Sequence, residues 1–267
     1  MAFLKNKSMF SRRKPMAAAV VIAAGLLISG GGYAAASGAI KSTQSSTIAS
    51  AAQIDEGRKL FLSNCASCHG KSAEGTKNGP TLIGVGAAAV DFQVSSGRMP
   101  AQASGPQIAA KDPSEFTDAQ VAALAAYVAT LGPGPSIPSD AAVAADGNAT
   151  HGGELFRTNC AMCHNAAGAG GALTQGKYAP ALTSTPAKEI YEAMATGPQN
   201  MPVFNDANLT PKDKKDIITY LVYLQNHPSP AGLDLENLGP VAEGLFVWIF
   251  VLGGIIAITV WLGAKSN

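Results

Sequence analysis

The sequence predicts a mainly α-helical protein: two tandem copies of one small helical domain, a C-terminal transmembrane helix, and an apolar signal or anchor helix at the N-terminus. Three observations predict it. A short cysteine motif occurs twice in similar surroundings, each copy ends on a segment with helix-start signals, and a long stretch near the C-terminus carries no charge. A chain of 267 residues has room for two small domains and their anchors.

Residues 1–40 come first. Lys5, Lys7, Arg12, Arg13 and Lys14 stand there without an acid, and Pro15 to Ile40 is uncharged. That order suits a signal peptide, with Ala34-Ala35-Ala36 as a candidate cleavage site. The apolar part outruns the usual signal core of roughly 7–15 residues, so a retained helix fits equally well. Either way the basic flank stays inside, which places residues 41–238 outside the cytoplasm.

The first copy spans 41–131 and the second 150–228. Each is built around one motif, Cys65-Ala66-Ser67-Cys68-His69 and Cys160-Ala161-Met162-Cys163-His164, and these hold every cysteine of the chain. C-x-x-C-H is the attachment signature of a c-type heme. Two thiols about one helical turn apart add across the two vinyl groups of one porphyrin edge, and the next residue brings its imidazole under the iron. Paired zinc knuckles usually lie roughly 15–20 residues apart; here 92 positions separate Cys68 from Cys160. A thioredoxin-like dithiol needs a βαβ setting that the sequence lacks. Disulfides within each pair would close only a tiny loop. Two covalently bound hemes c are therefore expected.

The surroundings repeat as well. Gly57-Arg58-Lys59-Leu60-Phe61 precedes the first motif and Gly152-Gly153-Glu154-Leu155-Phe156 the second. Opening helices are expected near 54–64 and 151–159. Closing helices are expected from Thr117, where Thr117-Asp118-Ala119-Gln120 has the form of a capping box, and from Thr210, with Pro211 at the favoured first position. Tyr127 in one closing helix answers Tyr220 in the other. Residues 132–149 open with the proline-rich Gly132-Pro133-Gly134-Pro135-Ser136-Ile137-Pro138, an extended linker.

His69 and His164 are the first axial ligands named by the motif. The second ligands are expected to be Met99 and Met201, at matching positions 30 and 37 residues downstream and each followed by proline. Thioether sulfur suits heme iron and a His/Met pair raises the potential. Met194 is a rival in the second copy without a counterpart in the first, and Met162 sits inside its motif. His151 lies in an opening helix on the wrong side, and His227 follows a closing helix. Pro80 and Pro180 occupy matching positions after the motifs; they serve either a turn or, through a carbonyl, the second N–H of the ligand imidazole.

The connector 229–244 leads to Leu245–Ala264, 20 residues without a charge, with Trp248 and Trp261 near its ends. At about 1.5 Å per residue this spans a hydrocarbon core of about 30 Å, and indole rings favour its borders. Residues 265–267, beginning with Lys265, form a cytoplasmic tail. Residues 41–238 carry 13 basic and 17 acidic side chains, a balance of −4 without a basic patch, which argues against nucleic acid as a partner. Each domain on its own is balanced, seven against seven over 41–131 and six against six over 150–228. Such balance leaves little net charge for steering a docking partner.

On these motifs each copy resembles a class I cytochrome c domain. In that family the proline carbonyl accepts from the ligand histidine, which maps onto Pro80 and onto Pro180, although Ala179 stands in place of the usual glycine. The whole chain resembles the diheme cytochrome c subunit of the actinobacterial menaquinol–cytochrome c reductase, the bcc complex. Stretches such as Gly79-Pro80-Thr81-Leu82-Ile83-Gly84 and Thr196-Gly197-Pro198-Gln199-Asn200-Met201-Pro202 carry the resemblance. It implies a cytochrome b subunit, a Rieske iron–sulfur subunit and an aa3-type oxidase as partners, in the cell membrane, within an enzyme that oxidises quinol. The chain itself shows no catalytic residues and is expected to be an electron carrier. The alternatives are the diheme subunit of a cbb3-type oxidase, which typically carries its anchor before the hemes, and a diheme peroxidase, which needs an open iron position.

Overall fold

The computed structural model describes residues 20, 22–27, 49–102, 105–111, 115–227 and 244–264. Residues 22–27 are helical. The candidate cleavage site at Ala34-Ala35-Ala36, the connector up to residue 243 and the tail 265–267 lie outside the described residues.

The first copy contains α1 (Ala51–Asn64), the single turn α2 (Ala66–His69), α3 (Ala87–Ser95) and α4 (Asp118–Ala129). The second contains α6 (Ala149–Asn159), α7 (Ala161–His164), α8 (Ala187–Thr196) and α9 (Pro211–Asn226), with the short α5 (Asp140–Val143) ahead of it. The helix starts follow from local chemistry. Ser50 Oγ accepts from Gln53 N–H at 3.2 Å, and Asn148 Oδ1 accepts from the N–H groups of Thr150 and His151. Thr117 with Gln120, and Thr210 with Asp213, form reciprocal capping boxes. The expected opening helices exist and begin a few residues earlier than the sequence pattern indicates.

Two features were not expected. Helices α3 and α8 fill what read as loop, and a two-stranded antiparallel ribbon, β1 (Gly171–Ala172) and β2 (Tyr178–Ala179), follows the second motif.

Each copy has its own core where the opening helix crosses the closing one. Phe61 meets Tyr127 with ring centroids 5.4 Å apart, and Phe156 meets Tyr220 at 5.6 Å, both tilted. The repeated glycine makes the crossing possible. A side chain at Gly57 would collide with the Ala123 carbonyl, and one at Gly152 with the Asp216 carbonyl. Around these crossings Val121, Leu124 and Val128 are buried in the first copy, and Ile217, Ile218 and Leu221 in the second.

The linker packs on the first copy: Ala88 N–H donates to Pro135 O at 3.1 Å, and Ile137 joins that core. Helices α3 and α8 bring the copies together, and Lys188 Nζ of α8 lies 2.6 Å from Asp91 Oδ2 of α3. The C-terminal helix α10 (Gly244–Ala264) has 21 residues, a mean hydropathy of 2.6 and no buried surface, so it is long and apolar enough to cross a membrane. Its Val247–Leu252 stretch is wound as a π-helix.

Candidate functional site

Both motifs are delivered in the same way. The N–H of Cys65 closes α1 on Phe61 O at 2.8 Å, and the N–H of His69 closes the next turn on Cys65 O at 2.9 Å. In the second copy Cys160 bonds to Phe156 O at 2.8 Å and His164 to Cys160 O at 2.9 Å. Phe61 and Phe156 are at most 1% exposed, so each motif hangs from a fixed core residue. None of the four cysteines forms a disulfide. Burial, with the neighbouring Cys68 adding, pushes the Cys65 thiol up to about 11; burial and Cys163 do the same for Cys160.

Each motif histidine is then pinned from one side. His69 Nδ1 lies 2.7 Å from Pro80 O, and His164 Nδ1 lies 2.9 Å from Pro180 O. A carbonyl only accepts, so Nδ1 carries the hydrogen and Nε2 keeps its lone pair for a metal. Burial lowers the His164 pKa below its ordinary value, against the raising pull of the bond to Pro180. At Gly79 a Cβ would sit 3.1 Å from the His69 ring and 2.9 Å from Cys68 O. Ala179 occupies the matching position and the histidine bond still forms. In this copy the close approach is made by its ribbon partner Gly171, where a Cβ would lie 3.0 Å from Cys163 O.

Met99 and Met201 are both partly buried and pack against the cores of their own copies. Met194 is 2% exposed in α8, while Met162 is 88% exposed. A cavity of about 670 Å³ opens in the second copy, bounded by Cys160, Cys163, His164, Pro180 and Met201, with Met194 also on its wall. Its apolar walls include Phe156, Ile190 and Leu221. That volume and lining are typical of a cofactor site.

The cavity is not made by the second copy alone. Phe92, Arg98, Gln107 and Lys111 of the first copy also line it. Gln107 Oε1 accepts from Tyr178 N–H at 2.7 Å. Gln199 makes a two-way amide bond with Ile108, donating to its carbonyl and accepting from its N–H, each at 2.9 Å. The first copy therefore braces the segment before Pro180 and the segment before Met201. Nothing in the local sequence announces these contacts.

The spare histidines have other work. His151 Nδ1 lies 3.0 Å from the buried Asp216, and His227 Nδ1 lies 2.9 Å from Tyr223 O while its ring stacks on Tyr223. Burial alone would raise the Asp216 carboxyl, but hydrogen bonds from Lys212, the Asn148 N–H and His151 hold it down to about 2. Glu192 is fully buried in α8; burial, with Asp91 beside it, pushes its carboxyl up to about 9.

Comparison with known proteins agrees with the duplicated build. Residues 54–132 match the family described as cytochrome c. Residues 147–221 match cytochrome c oxidase, cbb3-type, subunit III, a match confined to one copy of the duplicated unit. Both matches identify cytochrome c domains, and such domains imply covalent heme c. The "Cytochrome bc1 complex cytochrome c subunit" of Corynebacterium efficiens is 47% identical over 231 residues, covering 80% of this chain and 78% of that one. Its namesake in Corynebacterium diphtheriae is 43% identical, covering 84% and 87%. The one in Mycobacterium leprae is 45% identical, covering 81% and 77%.

Proposed function

Because the chain belongs to the family of cytochrome c subunits of the cytochrome bc1 complex, we propose that it carries two hemes c and relays single electrons from a Rieske iron–sulfur centre to an aa3-type terminal oxidase. In this reading a cytochrome b subunit oxidises menaquinol, α10 anchors the chain in the cell membrane, and both heme domains face away from the cytoplasm. Electron transfer is the chain's own task; quinol chemistry belongs to its partners.

The observation that carries the reading is the twice-built contact between a C-x-x-C-H histidine and a proline carbonyl, 2.7 Å in one copy and 2.9 Å in the other. It fixes tautomer and ring orientation as the outer partner of a metal-bound histidine does, and it recurs at the same place in both motifs. Cys65 and Cys68 would hold one heme by thioether bonds, and Cys160 and Cys163 the other. His69 and Met99 would supply the axial pair in the first copy, His164 and Met201 in the second. The residues fit the group: the cavity of about 670 Å³ brings two thiols, an oriented imidazole and a thioether to apolar walls. One-electron exchange at an iron tuned by its axial ligands is the chemistry that a bound heme supplies. The protein's contribution is to hold those ligands, exclude water with Phe156, Ile190 and Leu221, and fix the two sites beside each other through α3 and α8.

A redox-poised optical spectrum of the purified membrane complex, with a heme count by denaturing mass spectrometry, tests this. Two covalent hemes per chain, both low-spin, together with copurifying b-type heme are expected. A high-spin heme in a chain without partner subunits points to the peroxidase instead, and a chain without covalent heme ends the reading.

A further inference from the structure

Among the described residues, the Lys111 ammonium goes without a hydrogen-bond partner. It belongs to the first copy, where its N–H donates to Ser96 O at 3.1 Å, yet it lines the cavity of the second copy. Its Nζ is shut off from solvent. A buried, unpaired ammonium is strongly unfavourable, so the site calls for an anion. The acid on the same wall, Glu189, acts on Arg98, whose guanidinium also stacks over Phe92 at 4.8 Å.

We propose that Lys111 of the first domain binds a propionate of the heme seated in the second domain, making that heme's electrostatic setting a property of both domains. This rests on the two-heme reading above. The propionates are the only anionic groups on a heme periphery, and the one carboxylate among the cavity's described lining residues, Glu189, already acts on Arg98. The loop that carries Lys111 is fixed against the second copy by the Gln107–Tyr178 and Ile108–Gln199 bonds, so the head group is held at the wall. Gly97 allows this packing: its φ is +66°, and a side chain there would collide with the Lys111 carbonyl. A fixed cation beside the cavity favours the reduced, more negative state of the heme.

The test uses the full chain in its purified membrane complex, with heme labelled by carbon-13 at the propionates. Heme count, redox titration and redox-difference infrared spectra are compared for wild type, Lys111→Gln and Lys111→Arg. Lys111→Gln is expected to keep both hemes and to weaken reduction of one of them about tenfold, which is about 59 mV for one electron. The heme affected should be the one that responds to Met201→Ala. Lys111→Arg should return the potential while still altering the labelled carboxylate bands, because the donor geometry differs. If Lys111→Gln does not accumulate, the Lys111→Arg bands decide alone. Unaltered carboxylate bands, or a shift confined to the heme that answers to Met99→Ala, overturn the proposal. A wild-type chain with fewer than two covalent hemes overturns the two-heme reading itself, an outcome visible before any variant is made.

Discussion

Asp216→Asn removes a buried charge on which the second domain's two main helices converge. The carboxylate sits in α9, accepts the Asn148 N–H at 2.8 Å where α6 begins, and takes Lys212 Nζ at 2.6 Å and His151 Nδ1 at 3.0 Å. Those partners outweigh burial and hold its pKa at about 2, against an ordinary 3.8. One unit is worth about 1.4 kcal/mol, so the ionised group contributes about 2 kcal/mol to folding. Because the folded value is the lower one, that contribution is complete above pH 4 and is lost as pH falls towards 2. Denaturant unfolding of the detergent-solubilised chain, followed through heme absorbance at stepped pH, measures it. Near pH 6 the variant should be less stable than wild type by about 2 kcal/mol, on the order of 10 °C in melting temperature for a domain of this size. The gap should narrow below pH 4 and close near pH 2. A gap that stays constant with pH, or is absent at pH 6, refutes the reasoning.

Three further outcomes are expected. Met99→Ala and Met201→Ala should each lower the potential of one heme without releasing it; unchanged potentials in a redox titration mean that the ligands are wrongly assigned. Gly152→Ala puts a methyl group into the Asp216 carbonyl, and backbone cannot yield as a side chain can, so a loss of about 3 kcal/mol or more is expected; thermal unfolding at or above the wild-type temperature would contradict the crossing. Glu192→Gln should flatten the pH dependence of stability. The folded state keeps the Glu192 proton up to about pH 9 whereas the unfolded chain releases it near its ordinary 4.5, so wild type loses stability as pH rises through that window and the variant does not. Parallel pH profiles for the two proteins would rule this out.

The parts of this molecule that local chemistry dictates were readable in the sequence. The motifs, the capping box at Thr117, the Thr210-Pro211 helix start, the paired tyrosines and the apolar C-terminal helix are signals carried by adjacent residues. Helices α3 and α8 escaped because their starts lack such signals. Gly86 and Pro186 precede them with no side-chain cap, and α3 is buried on several sides at Ala88, Val90, Asp91, Phe92 and Val94, so it shows no single apolar stripe. Gly57 and Gly152 stood in plain view within the repeat, but only the crossing explains them. The wall that the first copy lends to the second copy's cavity depends on partners 71 and 91 positions apart. No window of sequence contains both ends of such a bond.

That shared wall changes what the duplication means. A tandem repeat ordinarily behaves as two interchangeable modules, each complete in itself. Here Gln107 and Lys111 of one module line the enclosure of its neighbour, and Ile108 holds Gln199 of that enclosure by two hydrogen bonds. The halves have therefore ceased to be portable. Replacing the first half with a foreign cytochrome would take Phe92, Arg98, Gln107 and Lys111 out of the wall of the second half's cavity.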